Sequence, residues 1–270
     1  MSAVSRAWRL RERLGERDIA LLESLREFRL MSGAQLRRLH FPGEHDATEA
    51  RKARAATKRL VEWELVVRMS RRVGGVRAGS DGWVYGLSGL GAAVLDLGRH
   101  QRRRHRRGVE TKPAFEAHTL AVSEWAVGLR EREHRGQCAV EELRAEPGAW
   151  RWFAGIGGQR RTLKPDAFVR LVIGDIELSA FIEVDLGTES EPTLVRKLGV
   201  YVDYYRSGVE QRERGVFPRV CWLAPDTARL AAIIRAIQRV PTNVRALFGA
   251  VLASDAADHL IQLGAEGGAR

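Results

Sequence analysis

Two apolar runs, AFVRLVI (167–173) and ELSAFIEV (177–184), flank the dipeptide Gly174-Asp175. Runs of this length, rich in Val, Ile, Leu and Phe, need burial, and Gly-Asp between them is a tight-turn signal. They predict an antiparallel hairpin in the interior of a sheet. Acids stand at its open end: Asp166 follows Lys164-Pro165 before the first run, and Glu183 and Asp185 close the second. The strand bodies form the core, so only their ends reach solvent and a ligand.

The surrounding pattern extends this hairpin into α and β layers. Phe115, His118, Val122, Trp125 and Leu129 make one helical stripe ending near Gly136, and CAVEELRA (138–145) reads as a strand. A long helix is expected from Ser190 to Arg206, with Thr188 and Glu191 as a capping box and Pro192 tolerated in the first turn. VCWLA (220–224) predicts a buried strand, DTARLAAIIRAIQ a helix, and ALFGAVLAS one more strand. The order is helix, three strands, helix, strand, helix.

Charge divides the chain. Residues 1–113 hold 25 Lys and Arg against 13 Asp and Glu, a net of +12, whereas 114–270 hold 20 against 21, a net of −1. Such a field attracts a polyanion, most simply nucleic acid, although a solvated arginine-rich surface has the same composition. Cys138 and Cys221 lie far apart with no ligand spacing, which argues against a disulfide framework and a zinc site. With no signal-peptide pattern and no apolar run of spanning length, the expectation is a soluble, cytoplasmic protein with no membrane partner.

The basic region resolves into short elements. DIALLESLREFRL (18–30) carries Ile19, Leu22, Leu25 and Phe28 at helical spacing. In MSGAQLRRLHFPG, Ser32 and Gln35 form a capping box and Pro42-Gly43 ends a second helix. A third runs from about Asp46 to Trp63. On it Ala53, Ala56, Thr57 and Leu60 share one face, and Arg51, Arg54 and Lys58 the opposite one. A recognition helix needs this division, resting on a core while presenting donors to phosphates and base edges. Two strands joined by a glycine-rich loop follow, with Arg68, Arg71, Arg72 and Arg77 along the first and its tip. Three helices and a basic hairpin are the order of a winged helix-turn-helix; an ordinary hairpin beside a helical bundle is the alternative. GLGAAVLDLG predicts a closing helix. RHQRRRHRRGVETKP, with six arginines between Arg99 and Arg107, cannot pack and is the expected boundary. The expected organisation is a DNA-binding domain over 1–98, a basic linker over 99–113 and a second domain over 114–270.

The second domain is similar to the core of the PD-(D/E)XK nuclease superfamily, on the strength of Pro165-Asp166 followed by Glu183-Val184-Asp185. The whole chain is thereby expected to be α+β: a winged helix-turn-helix followed by an α/β restriction-endonuclease-like domain. Strand alternation points Glu183 and Asp185 the same way, roughly 6–7 Å apart. With Asp166 opposite their end, three carboxylates converge, an oxygen-rich set that suits Mg²⁺ or Mn²⁺ and metal-activated water. The resemblance implies Asp166, Glu183 and Asp185 as metal-holding catalytic residues. It normally also implies a lysine where this chain has Asp185. Lys197, on the following helix with Leu194, Leu198 and Tyr201, is the leading substitute, and Lys164 the other. A lysine with apolar neighbours also arises when its stem covers the core and its head reaches water. Glu124, His118, Glu141 and Glu142 read more simply as surface or core residues.

QLRRLHFP, HTLAVSEW, KPDAF, IEVDLGTES and KLGVYVDYY together resemble the replication-relaxation family of actinobacterial plasmids and integrated mobile elements. The resemblance implies replication, mobilisation or DNA processing for a mobile element, with double-stranded DNA as partner, a relaxase or other mobile-element protein beside it, and a homodimer as one assembly. Two readings stay open: a metal-dependent DNA endonuclease, and a non-catalytic DNA-binding regulator or accessory factor built on a degenerate nuclease fold.

Overall fold

A computed structural model describes residues 3–43, 46–69, 82–97, 112–155 and 157–267. The chain is mixed α and β and divides into two compact units, 1–127 and 128–270. Arg71, Arg72, Arg77 and the arginine run at 99–107 lie outside the described residues.

The first unit begins with a helix absent from the sequence expectations, α1 (Ala3–Arg13), followed by α2 (Glu16–Phe28). Next come β1 (Leu30–Ser32), α3 (Gly33–His40), α4 (Asp46–Glu62), β2 (Val66–Arg68), β3 (Val84–Leu87) and α5 (Gly89–Leu95). The strands form an antiparallel sheet in the order β1-β3-β2. Ser32 serves two elements at once, pairing with Val84 at the end of β1 and capping α3. Its hydroxyl accepts from Gln35 N at 3.2 Å, and its own N–H donates to Gln35 Oε1 at 2.9 Å. The expected capping box is present; the strand leading into it was not foreseen. Leu21, Leu22, Leu25, Met31, Leu36, Leu60 and Leu65 are fully buried, each contributing about 1.5–3 kcal/mol of burial free energy. Gly91 lies against β2's approach so closely that a Cβ would stand 2.2 Å from the Leu65 carbonyl oxygen, a position no side chain can share.

A long helix, α6 (Pro113–His134), passes from one unit into the next. Within the first unit, Ser123 donates to the Leu30 carbonyl at 2.8 Å and Gln35 donates to the Leu120 carbonyl at 2.9 Å.

The second unit contains β4 (Ala139–Ala145), β5 (Arg151–Ala154), β6 (Arg160–Leu163), β7 (Ala167–Ile173), β8 (Ile176–Val184), α7 (Glu191–Ser207) and α8 (Val209–Arg214). It ends with β9 (Arg219–Ala224), α9 (Thr227–Gln238), α10 (Thr242–Arg245), β10 (Phe248–Leu252), a single 3-10 turn and α11 (Ala256–Gly267). Five strands form one sheet in the order β10-β9-β8-β7-β4. β7 runs antiparallel to both its neighbours, β4 and β8; β8, β9 and β10 run parallel. Ile173 pairs with Ile176 across the two-residue turn, where Gly174 takes φ +58°. That conformation favours glycine, and the turn fixes the hairpin register the sequence predicts.

Phe168, Phe181, Leu194, Leu198, Tyr201, Tyr204, Val220, Trp222 and Ile233 form the main core where the sheet packs under α7 and α9. α11 packs against β7 and β8 as well, with Gly264 against Ile173. The α7 cap differs from expectation. Ser190, not Thr188, is the N-cap residue, and its side chain makes no capping hydrogen bond; Pro192 occupies the first turn as expected. Cys138 and Cys221 are buried and free.

Candidate functional site

The β7–β8 register sets the central geometry. Ala167 faces Ile182 at the end of the ladder, and Asp166 follows immediately beyond it beside the last residues of β8. Asp166 N donates to the Ile182 carbonyl at 3.1 Å, and Asp166 Oδ2 accepts from Val184 N at 2.7 Å. These bonds hold the Asp166 side chain across the end of β8. Asp185 follows on the same side as Glu183, its N–H donating to the Leu223 carbonyl of β9 at 2.9 Å. Asp166, Glu183 and Asp185 are all buried, Glu183 to 1 % exposure.

α7 brings two donors to Glu183. Lys197 and Tyr201 lie four residues apart, hence on one helix face. The Tyr201 hydroxyl donates to Glu183 Oε1, and Lys197 Nζ stands 2.7 Å from Oε2. Lys197 also reaches Glu189 at 3.5 Å. Asp185 turns to α9 instead. Arg229 grips it with two bonds, at 2.8 and 2.6 Å, and Gly187 N donates to Oδ1 at 2.5 Å.

Burial drives the electrostatics. It pushes the Glu183 carboxyl up to about 8 from an ordinary 4.5; Asp166 adds to the rise, and Lys197 and Tyr201 pull it back. Lys197 is desolvated too, but Glu183, Asp166 and Glu189 outweigh this and raise it above its ordinary value. The two shifts disagree, because a lysine held charged by Glu183 requires an ionised Glu183 beside it. Burial is the largest cause, so the direction that holds is the rise of the Glu183 carboxyl, which takes a proton far more readily than an exposed glutamate even with Lys197 and Tyr201 on its oxygens.

Asp166, Glu183 and Lys197 thus meet in one cluster, whereas Asp185 forms a separate ion pair with Arg229. The donor set as it stands does not fit a divalent cation. Both Glu183 oxygens face donors, both Asp185 oxygens face Arg229, and a metal would have to displace two cations from buried carboxylates. Among the described residues no group of three or more His, Cys, Asp and Glu is arranged to hold a metal ion. Lys164 lies elsewhere, with its ammonium 4.8 Å from the Trp150 ring.

The basic helix divides along the expected faces. Ala53, Ala56, Thr57 and Leu60 of α4 are buried, while Arg51 and Arg54 are exposed and Lys58 is 78 % exposed. Lys58 makes a loose contact with Glu62 at 3.8 Å. Arg68 is exposed at the end of β2, its guanidinium 4.2 Å from the Trp83 ring. Glu124, an exposed acid on α6, pairs with Arg38 and accepts from Gln35 at 3.0 Å.

Sequence reasoning missed Arg229 and the role of Tyr201. Tyr201 had a signal, the i,i+4 spacing from Lys197. Arg229, 44 residues beyond Asp185, had none. It likewise missed a second buried network, in which Glu210 accepts from Tyr204 and from Arg151 at 3.1 Å, with Arg214 at 3.3 Å.

No curated protein and no solved structure matches the chain. Residues 22–220 match the family model described as replication-relaxation.

Proposed function

The chain belongs to the replication-relaxation family, and from that premise we propose that it binds double-stranded DNA in the replication or processing of a plasmid or other mobile element. On this reading the first unit is a winged helix-turn-helix, α4 is its recognition helix, and Arg51, Arg54, Lys58 and Arg68 contact the duplex. The observation that carries it is the division of α4: small buried residues seat the helix while its cations stand in solvent. Arg71, Arg72 and Arg77, proposed as further duplex contacts, lie outside the described residues.

The second unit, with its sheet order and its Pro165-Asp166 and Glu183-Val184-Asp185 positions, is proposed to be restriction-endonuclease-like in fold. The pairing of Glu183 with Lys197 and of Asp185 with Arg229 favours a non-catalytic accessory role. Here the former acid site braces the strand ends against α7 and α9, and no step is routed through Mg²⁺ or Mn²⁺. A second reading, DNA cleavage, is favoured by one observation. Asp166 lies against the end of β8, close to Glu183 and to the Lys197 ammonium.

One experiment separates these. Wild type, the Arg51→Glu/Arg54→Glu/Lys58→Glu variant and Asp166→Ala are incubated with supercoiled plasmid and either metal, and duplex binding is measured in parallel. The expected result is duplex binding lost in the charge-reversed variant, with intact plasmid throughout. Nicking by wild type that Asp166→Ala abolishes would establish the second reading. Undiminished binding by the charge-reversed variant would remove α4 from the interface.

A further inference from the structure

From Pro147 to Pro165 the chain contains no acidic residue and four cations, Arg151, Arg160, Arg161 and Lys164, within a region, 114–270, whose net charge is −1. This stretch forms the β5–β6 hairpin, which leads through Lys164 and Pro165 directly into Asp166.

Strand alternation sorts the hairpin into two faces. Ala149, Phe153 and Leu163 belong to the core. Arg151 and Arg161 share their side, where Arg151 bonds Glu210 and Arg161 pairs with Asp203. The other side carries Trp152, Ala154, Arg160 and Thr162. Trp152 faces Thr162, and Ala154 faces Arg160. Trp152 is 51 % exposed, and Arg160 is exposed with no ion pair among the described residues. One pair further along, Lys164 lies over the Trp150 ring. A large flat ring therefore stands in water, flanked along the hairpin by two cations and by no carboxylate of its own strands.

An apolar partner would gain from the ring but not from the cations, and an acidic peptide the reverse. A single-stranded nucleic acid satisfies both, since an unpaired base stacks on an aromatic face while its phosphates meet cations. We infer that the outer face of the β5–β6 hairpin binds single-stranded DNA, with Trp152 stacking one unpaired base and Arg160 and Lys164 contacting the flanking phosphates. The inference rests on the DNA-binding reading above and deepens it: the substrate becomes DNA with an unpaired segment, which any replication or strand-processing event exposes.

The test uses the full chain and fluorescence anisotropy with a labelled oligothymidylate, a blunt duplex and an oligouridylate of equal length. Trp152→Ala is expected to weaken oligothymidylate binding about 5- to 150-fold while leaving duplex affinity within about twofold. Trp152→Phe keeps most of the affinity, and Arg160→Ala makes the salt dependence shallower. Circular dichroism melts of each variant exclude unfolding as the cause. Trp152→Ala binding the single strand as wild type does, or losing duplex and single strand equally, overturns the inference. So does stronger binding of the RNA, or concentration-dependent self-association that Trp152→Ala abolishes while single-strand affinity is unchanged. Failure of wild type to bind the duplex would instead count against the DNA-binding reading.

Discussion

Glu183 is a carboxylate in the middle of a core, tolerated because α7 supplies a lysine and a phenol for it. Removing one partner of a buried pair costs far more than the pair itself contributes, about 3–5 kcal/mol. Lys197 is partly open to water, so Lys197→Met is expected to cost about 2–4 kcal/mol well above pH 8, where Glu183 is ionised. Glu183 is raised in the fold, to about 8 from 4.5, so the folded state binds the extra proton across that window. Stability linked to Glu183 is therefore full below about 4.5 and is lost as pH rises toward 8. Without Lys197 the carboxyl rises further and the loss deepens. Denaturant unfolding from pH 6 to 10 should show the variant's deficit growing above about pH 8, where wild-type Glu183 ionises, and Glu183→Gln added to Lys197→Met should flatten it. A deficit independent of pH would mean Lys197 acts only by packing its stem. That Lys197 and Glu183 meet was legible from the face it shares with Leu194, Leu198 and Tyr201. That Asp185 pairs with Arg229 was not, since contacts between distant elements leave no local pattern.

Local chemistry governs which elements the sequence discloses. The Ser32–Gln35 box is contained within four residues, and its expected hydrogen bonds are present. Ser32→Ala should cost about 1 kcal/mol of stability, measured as a lowered denaturation midpoint with unchanged slope. Ser32→Asp should recover most of it; equal loss in both would assign the effect to the β1 pairing with Val84. The β7–β8 hairpin was legible from its turn and its apolar runs. β1 was hidden because three residues are too few to show a period, and its pairing lies more than 50 residues away on β3. β5 and β6 were hidden for a related reason. Each buries little more than one large apolar side chain, Phe153 and Leu163, and the glycines between them read as loop. The Thr188 cap failed because the helix begins three residues beyond it, at Glu191, and Ser190 adopts the extended backbone of the N-cap.

Across the whole molecule, the charge partition bears on function more than on fold. On the proposed duplex binding, the excess of cations before residue 114 sets how strongly affinity responds to salt. Each phosphate contact contributes about 0.9 to the slope of log affinity against log salt. Replacing Arg51, Arg54 and Lys58 by Ala should therefore lower that slope by about 2.7, in titrations from low to physiological salt. A weaker affinity at unchanged slope would mean that these residues shape the helix and touch no phosphate. The mixed α and β layers, the β7–β8 hairpin and the basic face of α4 follow from periodicity and turn chemistry. The state of the acid cluster does not, because it depends on which cations the helices carry over the sheet.

β8 is bonded along both edges, antiparallel to β7 and parallel to β9. A residue inserted into the body of β8 would turn every side chain beyond it to the opposite face, taking Glu183 away from Lys197 and placing a carboxylate against apolar neighbours. A residue inserted at the 174–175 turn has an outlet, because both ladders can stay in step while the extra length bulges into solvent. The strand most sensitive to length thus begins beside a joint that absorbs it, which makes that turn the natural place to splice in a reporter peptide without moving the acids.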